Sequence, residues 1–370
     1  MVIRFLETTF IVLLFLYGTT STFGQRSQET TRYFAPPTLP QNVSDVNKIL
    51  IDTGEASTPK DTLFQLLTAR GTPISYYRKI NTEVCFDESC RLLRVNLYWN
   101  VTGRYLGFEL PPAEFLSKAE HEPFHEQEYQ QLHTILADSL SPIGDFDYQK
   151  LVPENTTPER VDGVTRPTSK DVLQYVVKGA VFTTHTMWNL VYGQTRKDVE
   201  HATEAALNPR FLLDILKSHD AWDRYWALDR MHMLPDVPPQ VKDRVISFVC
   251  DSSYNLALHA LTVLPKDWGE DSAAQQALWL TFDCVLPALK PKVMEKLSTY
   301  EKLNRSILLD IADRLPTMYG PVLNAALQCL RKYLPEEPEI LQRVTALLDH
   351  NNPYIVKQIK KFLQEIPAND

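Results

Sequence analysis

The sequence predicts an α+β chain in two parts: a small antiparallel-sheet domain with helices, followed by an all-α solenoid of helical hairpins. Three observations carry that prediction. Between Val84 and Leu110 apolar residues alternate along the chain (Val84, Phe86, then Leu93, Val95, Leu97 and Trp99), as half-buried strands require. Beyond about Glu200 the alternation gives way to apolar residues spaced three to four apart, the period of a helix with one buried face. The helical runs there end repeatedly in Leu-Pro, at Leu234-Pro235, Leu264-Pro265, Leu315-Pro316 and Leu334-Pro335, with Ile366-Pro367 at the close.

The chain has 370 residues and a formal net charge of −8. Neither half carries the basic excess that displacing counterions from nucleic acid demands, so nucleic acid is excluded as a partner class. Residues 1–24 read as a signal peptide. Arg4 supplies the positive start, Phe10–Tyr17 is an apolar core too short to span a bilayer, and Gln25 is the expected first mature residue. No later stretch is long and apolar enough to be transmembrane. The expectation is an exported protein, periplasmic or secreted.

Taken in order, residues 25–60 read as a linker or draped arm, because prolines recur there and periodicity does not. Asp61–Ala69 reads as a short helix. Thr82–Phe86 and Cys90–Trp99 read as a hairpin, turning at Asn100-Val101-Thr102-Gly103 into a return strand through Tyr105, Gly107, Phe108 and Leu110. Pro111-Pro112 stops it. A helix from about Glu126 to Leu140 follows, with Glu126 and Glu128 in the first turn, where the helix dipole favours them. One long helix is expected from a Ser169 cap to Gly193.

Five cysteines in an exported chain make an odd count. Cys85 and Cys90 bracket the expected hairpin tip and could form a cross-strand disulfide. Two free thiols, or half a metal site, are the alternatives. Cys250, Cys284 and Cys329 fall in apolar helical runs and read as packing residues.

Two resemblances add to this reading. The back half, about 200–370, resembles HEAT-type repeats: HDAWDRYWALDRMHMLP, CDSSYNLALHALTVLP and LDHNNPYIVKQIKKFLQEIP each run polar turn, helix, proline. In the front half, Asp162-Gly163-Val164-Thr165-Arg166-Pro167-Thr168-Ser169 resembles the D-[AG]-[IV]-[ST]-G-A-[ST] signature of the FMN-binding domain of electron-transport subunits. The resemblance implies an α+β domain over about 61–193, with Thr168 as the residue that would carry FMN phosphate and Asp162, Thr165, Arg166 and Ser169 lining it. Arg166-Pro167 replaces the family's Gly-Ala. Arginine and proline there remove backbone freedom and one N–H that could meet a phosphate, although Arg166 could itself pair with one. Loss of the flavin on a retained fold is therefore favoured over covalent FMN.

Other candidate chemistry is weaker. His121, His125 and His133 lie among Glu120, Glu122, Glu126 and Glu128, but Pro123 interrupts the segment and the spacing does not put them on one helical face, so a solvated loop is expected rather than a metal site. Trp188, Trp222, Tyr225 and Trp226 fall at helical spacing and read as core, as does His185. The two functional readings are a non-catalytic scaffold whose helical repeats bind another envelope protein, and an FMN-dependent electron-transfer accessory. The scaffold ranks first, because the glycine that would let a phosphate approach is missing.

Overall fold

A computed structural model describes residues 31–35, 37–39, 42–53, 59–84, 91–118, 121–146 and 173–366. Within them a six-stranded antiparallel sheet precedes a helical region, so the chain is α+β. The strands are β1 (Arg32–Phe34), β2 (Asp45–Asp52), β3 (Lys60–Leu67), β4 (Pro73–Thr82), β5 (Leu93–Asn100) and β6 (Tyr105–Glu109). Their order across the sheet is β1-β6-β5-β4-β3-β2. From β2 to β6 each strand pairs with the next, and β1 closes on β6 through Arg32↔Glu109 and Phe34↔Gly107.

The two faces differ as strand alternation dictates. Leu63, Ile74, Tyr76, Ile80, Val95, Leu97 and Trp99 point inward and are buried. They meet helices α1 (Glu126–Ala137), α2 (Val181–Tyr192) and α3 (Gln194–Ala205). Polar ties fix this packing: the Trp99 indole donates to the Val191 carbonyl at 2.8 Å. Arg78, 2% exposed, pairs with Asp61 at 2.6 Å and donates to the Thr195 hydroxyl at 3.0 Å. The opposite face carries a cross-strand row of rings, Phe64–Tyr77–Tyr98–Phe34, with centroids 4.6, 5.3 and 4.7 Å apart.

Three sequence expectations are overturned in this half. The expected helix at Asp61–Ala69 is β3: Leu63 and Gln65 turn inward while Phe64 turns out. Its leucines at 63, 66 and 67 suit a helix, but β2 and β4 pair it along both edges, and that shared hydrogen bonding outweighs local preference. Gln65 is buried and bonded to the Tyr76 hydroxyl at 3.0 Å, a core polar group that a period count reads as surface. The expected arm at 25–60 contains β1 and β2. The expected long helix is interrupted as well. After a 3-10 turn at Leu173–Tyr175, Gly179 sits at φ +76°, outside helical geometry, and α2 starts only at Val181.

Ten further helices follow: α4 (Pro209–Leu216), α5 (Ala221–Arg230), α6 (Pro239–Ser247), α7 (Tyr254–Val263), α8 (Ser272–Leu280), α9 (Lys290–Ser298), α10 (Arg305–Arg314), α11 (Gly320–Tyr333), α12 (Pro338–Ala346) and α13 (Pro353–Gln364). Side chains of Asn208, Asp220, Ser253, Asp271 and Asn352 cap five of them. The Leu-Pro stops divide their labour. Leu234, Leu264, Leu315 and Leu334 are buried, while the prolines after them end or tighten the helix.

Helices pack both on the next in sequence (α4 on α5, α6 on α7, α8 on α9, α10 on α11, α12 on α13) and on the next but one: α4 on α6, α5 on α7, α6 on α8, α7 on α9, α9 on α11 and α10 on α12. Charged pairs bridge the same steps, with Arg224–Asp251 at 3.3 Å, Lys242–Asp271 at 2.7 Å, Arg314–Asp283 at 2.6 Å and Arg343–Asp313 at 2.5 Å. One covalent bridge adds to them. Cys250 and Cys284, expected to be packing residues, form a disulfide with Cα atoms 5.4 Å apart. Cys250 ends the 3-10 extension of α6 and Cys284 directly follows that of α8, which brings the sulfurs side by side. Cys329 is buried and free. Among the described residues no helix is long and apolar enough to cross a membrane.

Candidate functional site

The sheet and the helical region are tied together at one buried carboxylate. Asp223, in the first turn of α5, is completely buried. It accepts from Asn100 Nδ2 at 2.9 Å, Thr102 Oγ1 at 2.5 Å, Ser218 Oγ at 2.7 Å and the Thr38 hydroxyl. Arg104 closes the ring, its Nη2 3.0 Å from Asp223 Oδ2 and its Nε 3.2 Å from Asp220. Burial alone would raise the Asp223 pKa. The Arg104 guanidinium and the hydroxyl donors outweigh it and hold the group below the ordinary carboxylate range, so it is ionised at neutral pH.

The β5–β6 turn positions these donors. Asn100 N–H bonds the Arg104 carbonyl at 2.7 Å, and Gly103 N–H bonds the Asn100 carbonyl at 3.0 Å. Gly103 lies at φ +76°, and a Cβ there would stand 3.0 Å from side-chain atoms of Arg196 and Glu200. Glycine thus serves both the turn and its close seat against α3.

Beside this joint opens a cleft of about 540 Å³, lined by the turn, the end of α1, α2, α3 and α5. Its charges are largely matched. Arg196 pairs with Glu200 at 3.0 Å, and Arg230 reaches Glu200 at 2.9 Å and Glu204 at 2.7 Å. Asp229 meets His259 at 2.8 Å. Asp138 accepts the Leu140 N–H at 2.9 Å and has no cationic partner among the described residues. Aromatic rings supply the rest: Tyr192 beside Trp188 at 4.5 Å, Trp226 under the Arg230 guanidinium at 4.2 Å, and Trp222 beside Tyr225 at 6.0 Å. Burial raises the pKa of the Tyr105, Tyr192 and Tyr225 hydroxyls, keeping them protonated.

The expected aromatic core residues therefore divide. Trp226 is buried, but Trp222 is 61% exposed at the cleft mouth, because it occupies the outward side of the first turn of α5 while Asp223 takes the inward side. His185 is buried, its Nε2 2.8 Å from the Phe146 carbonyl. The three histidines of the acidic segment are not brought together. His121 lies in a turn at φ +62°, His125 caps α1, and His133 packs against Tyr105 with its Nδ1 3.1 Å from that hydroxyl. Asp162, Thr165, Arg166, Thr168 and Ser169, and likewise Cys85 and Cys90, lie outside the described residues.

Sequence reading found the Asn100–Gly103 turn but not its role, since Asp223 and its donors are more than a hundred residues apart except for Ser218. A signal was present: Asn100, Thr102 and Arg104 are all polar, in a turn between two strands whose neighbours are strongly apolar. A scan against protein-family models finds no match, and neither does a search of curated proteins.

Proposed function

We propose that the chain is an exported, non-catalytic scaffold. In this reading α4 to α13 form an α-solenoid of HEAT-like hairpins on a small sheet domain, and the cleft at their junction receives another envelope protein. One observation carries the proposal: the cleft's guanidiniums are already bound to carboxylates, while an exposed Trp222 and Asp138 both line it. A catalytic cleft presents a group with a shifted pKa and freedom to act on a ligand. Here Asp223 is kept ionised inside five donor residues, and the tyrosine hydroxyls are kept neutral. An exposed indole and a carboxylate lining one cleft instead suit the cationic side chains of a protein partner, held by cation–π contact and charge.

Supporting the solenoid is the next-but-one packing of the helices, with bridges at sequence separations of 27 to 31 in Arg224–Asp251, Lys242–Asp271, Arg343–Asp313 and Arg314–Asp283. Supporting export is the Cys250–Cys284 disulfide, a bond that persists in oxidising compartments. A photo-crosslinking residue at position 222, introduced in the source organism, is expected to yield one discrete adduct that weakens in Asp138→Asn. No adduct, or the same products from a control position at Lys360, would overturn the reading.

The FMN-dependent electron-transfer accessory is the alternative, supported by the Asp162-Gly163-Val164-Thr165 and Thr168 matches in sequence. It predicts a yellow protein from a host with an active flavinyltransferase, with a mass increment lost in Thr168→Ala. A colourless product of unmodified mass favours the scaffold.

A further inference from the structure

Helices α5, α7, α9, α11 and α13 lie side by side and parallel. At their starts, Arg224 in the first turn of α5 meets Asp251, just ahead of α7, at 3.3 Å. At their ends, Lys296 of α9 donates to the Leu264 carbonyl that follows α7. Lys332 of α11 donates to the Ser298 carbonyl of α9 at 3.1 Å, and Arg331 of α11 pairs with Glu365, just after α13. The five helix starts therefore share one edge. Four of them carry an exposed ring in the first turn or its cap: Trp222 (61%), Tyr254 (46%), Tyr319 (62%) and Tyr354 (38%). The fifth, α9, opens with Lys290-Pro291-Lys292. A single exposed ring is ordinary, but rings at the same place on neighbouring helices make a ridge.

The step and the chemistry of this ridge select its occupant. Packed helices lie about 8–10 Å apart, which sets the step from one helix start to the next. A polyproline II chain turns once every three residues, about 9.3 Å, and so meets each helix start with the same side of its helix. A β-strand repeats every two residues, about 6.7 Å, and falls out of step. Polyproline II carbonyls have no internal partner, and indole and phenol rings combine an apolar face with a polar donor. Charges beside the rings are held within the chain: Asp220 by Arg104 at 3.2 Å, Asp251 by Arg224, and Lys292 by Glu295 at 2.6 Å. Asp220, Ser253 and Asn352 also cap three of the helix starts. That leaves rings and donors, which suit an uncharged ligand.

We propose that these helix starts form a docking ridge for an uncharged, proline-rich segment in the polyproline II conformation. It runs from Trp222, which also lines the cleft, to Tyr354. The inference rests on the scaffold reading and names the segment by which the partner is held.

Oligoproline peptides, titrated into the full chain by calorimetry, test it. Twelve residues span about 37 Å and reach all four rings, whereas six span about 19 Å and reach two. The longer peptide is expected to bind saturably at one site, and the shorter about tenfold or more weaker. Tyr319→Ala and Tyr354→Ala should each weaken the longer peptide about fivefold or more, while Met233→Ala, at the other end of α5, leaves it unchanged. Circular dichroism melts, unchanged because these rings are exposed, separate lost binding from lost folding. Absence of saturable binding by the longer peptide overturns the proposal, and so does binding indifferent to both tyrosines. Equal or tighter binding of a neutral oligosaccharide overturns it too, since the ridge would then be a sugar platform. If the adduct at position 222 forms but is unchanged in Tyr319→Ala and Tyr354→Ala, the ridge falls and the scaffold reading stands. Tyrosine-dependent oligoproline binding without any such adduct keeps the ridge and removes the cleft reading.

Discussion

Breaking the Cys250–Cys284 bridge should destabilise the helical region by an amount calculable from the chain it closes. The two cysteines are separated by 34 residues. Cross-linking a loop of that length removes about 13 cal/mol/K of entropy from the unfolded chain, or about 3.8 kcal/mol at 25 °C. The span contains α7 and α8, so the effect should centre on them and on their packing partners α5, α6 and α9. Reduction is an unsuitable perturbation, because it would also open any bond between Cys85 and Cys90. The double variant Cys250→Ser, Cys284→Ser isolates this bridge. Urea unfolding followed by circular dichroism should shift by about 2–4 kcal/mol, the lower figure allowing for residual order in the unfolded chain. Hydrogen exchange should quicken from Tyr254 to Leu280 before it quickens in the sheet. An unfolding free energy unchanged within about 0.5 kcal/mol would refute the cross-link argument. So would alkylation of both thiols in the folded, unreduced protein.

Five further outcomes follow from the geometry. Asp223→Ala removes the acceptor for five donor residues and leaves Arg104 partly unpaired, so urea unfolding should show a loss of about 3–5 kcal/mol. Because Asp223 is held below the ordinary carboxylate range, its contribution is complete above about pH 4 and is lost as pH falls through its lower folded value. The wild type's acid-side loss of stability should therefore be shallower in Asp223→Ala, measured as the urea midpoint between pH 2 and pH 6. Gly103→Ala should cost about 1–2 kcal/mol for positive φ, plus the displacement of Arg196 and Glu200, read as a lowered melting temperature. At Gly107 a Cβ would fall 2.0 Å from the Tyr33 carbonyl oxygen, so Gly107→Ala should release β1 and expose residues 31–35 to limited proteolysis. Burial pushes the Cys329 thiol up to about 12, so iodoacetamide should label it only after denaturant unfolds α11.

How much of this was legible in the sequence depended on the range of the interactions. Strand β5 and the turn after it follow from alternation between Leu93 and Trp99 and from a glycine that needs positive φ. Both are local. The Leu-Pro stops are local as well, and they mark helix ends as far as Ile366-Pro367. β3 was misread because Leu63, Leu66 and Leu67 satisfy the helix period, and only the presence of β2 and β4 on either side decides otherwise. β2 was hidden for the opposite reason. As an edge strand with both faces largely exposed it lacks the alternation that burial imposes. The Cys250–Cys284 pairing and the Asp223 joint depend on chain separations that no pattern along the sequence encodes. The flavin-like motif at Asp162–Ser169 lies outside the described residues, and its reading rests on sequence alone.

The place of β1 in the sheet carries a consequence for the order of events as the chain is made. Strands β2 to β6 can zip up hairpin by hairpin as each emerges in turn, since every partner is the next strand along. Arg32–Phe34, made before all of them, has to wait for Tyr105–Glu109. Thr38 waits longer still, until Asp223 has been synthesised and α5 has formed around it. The earliest segment of the sheet is thus the last to be fastened, and it closes like a buckle over elements already in place.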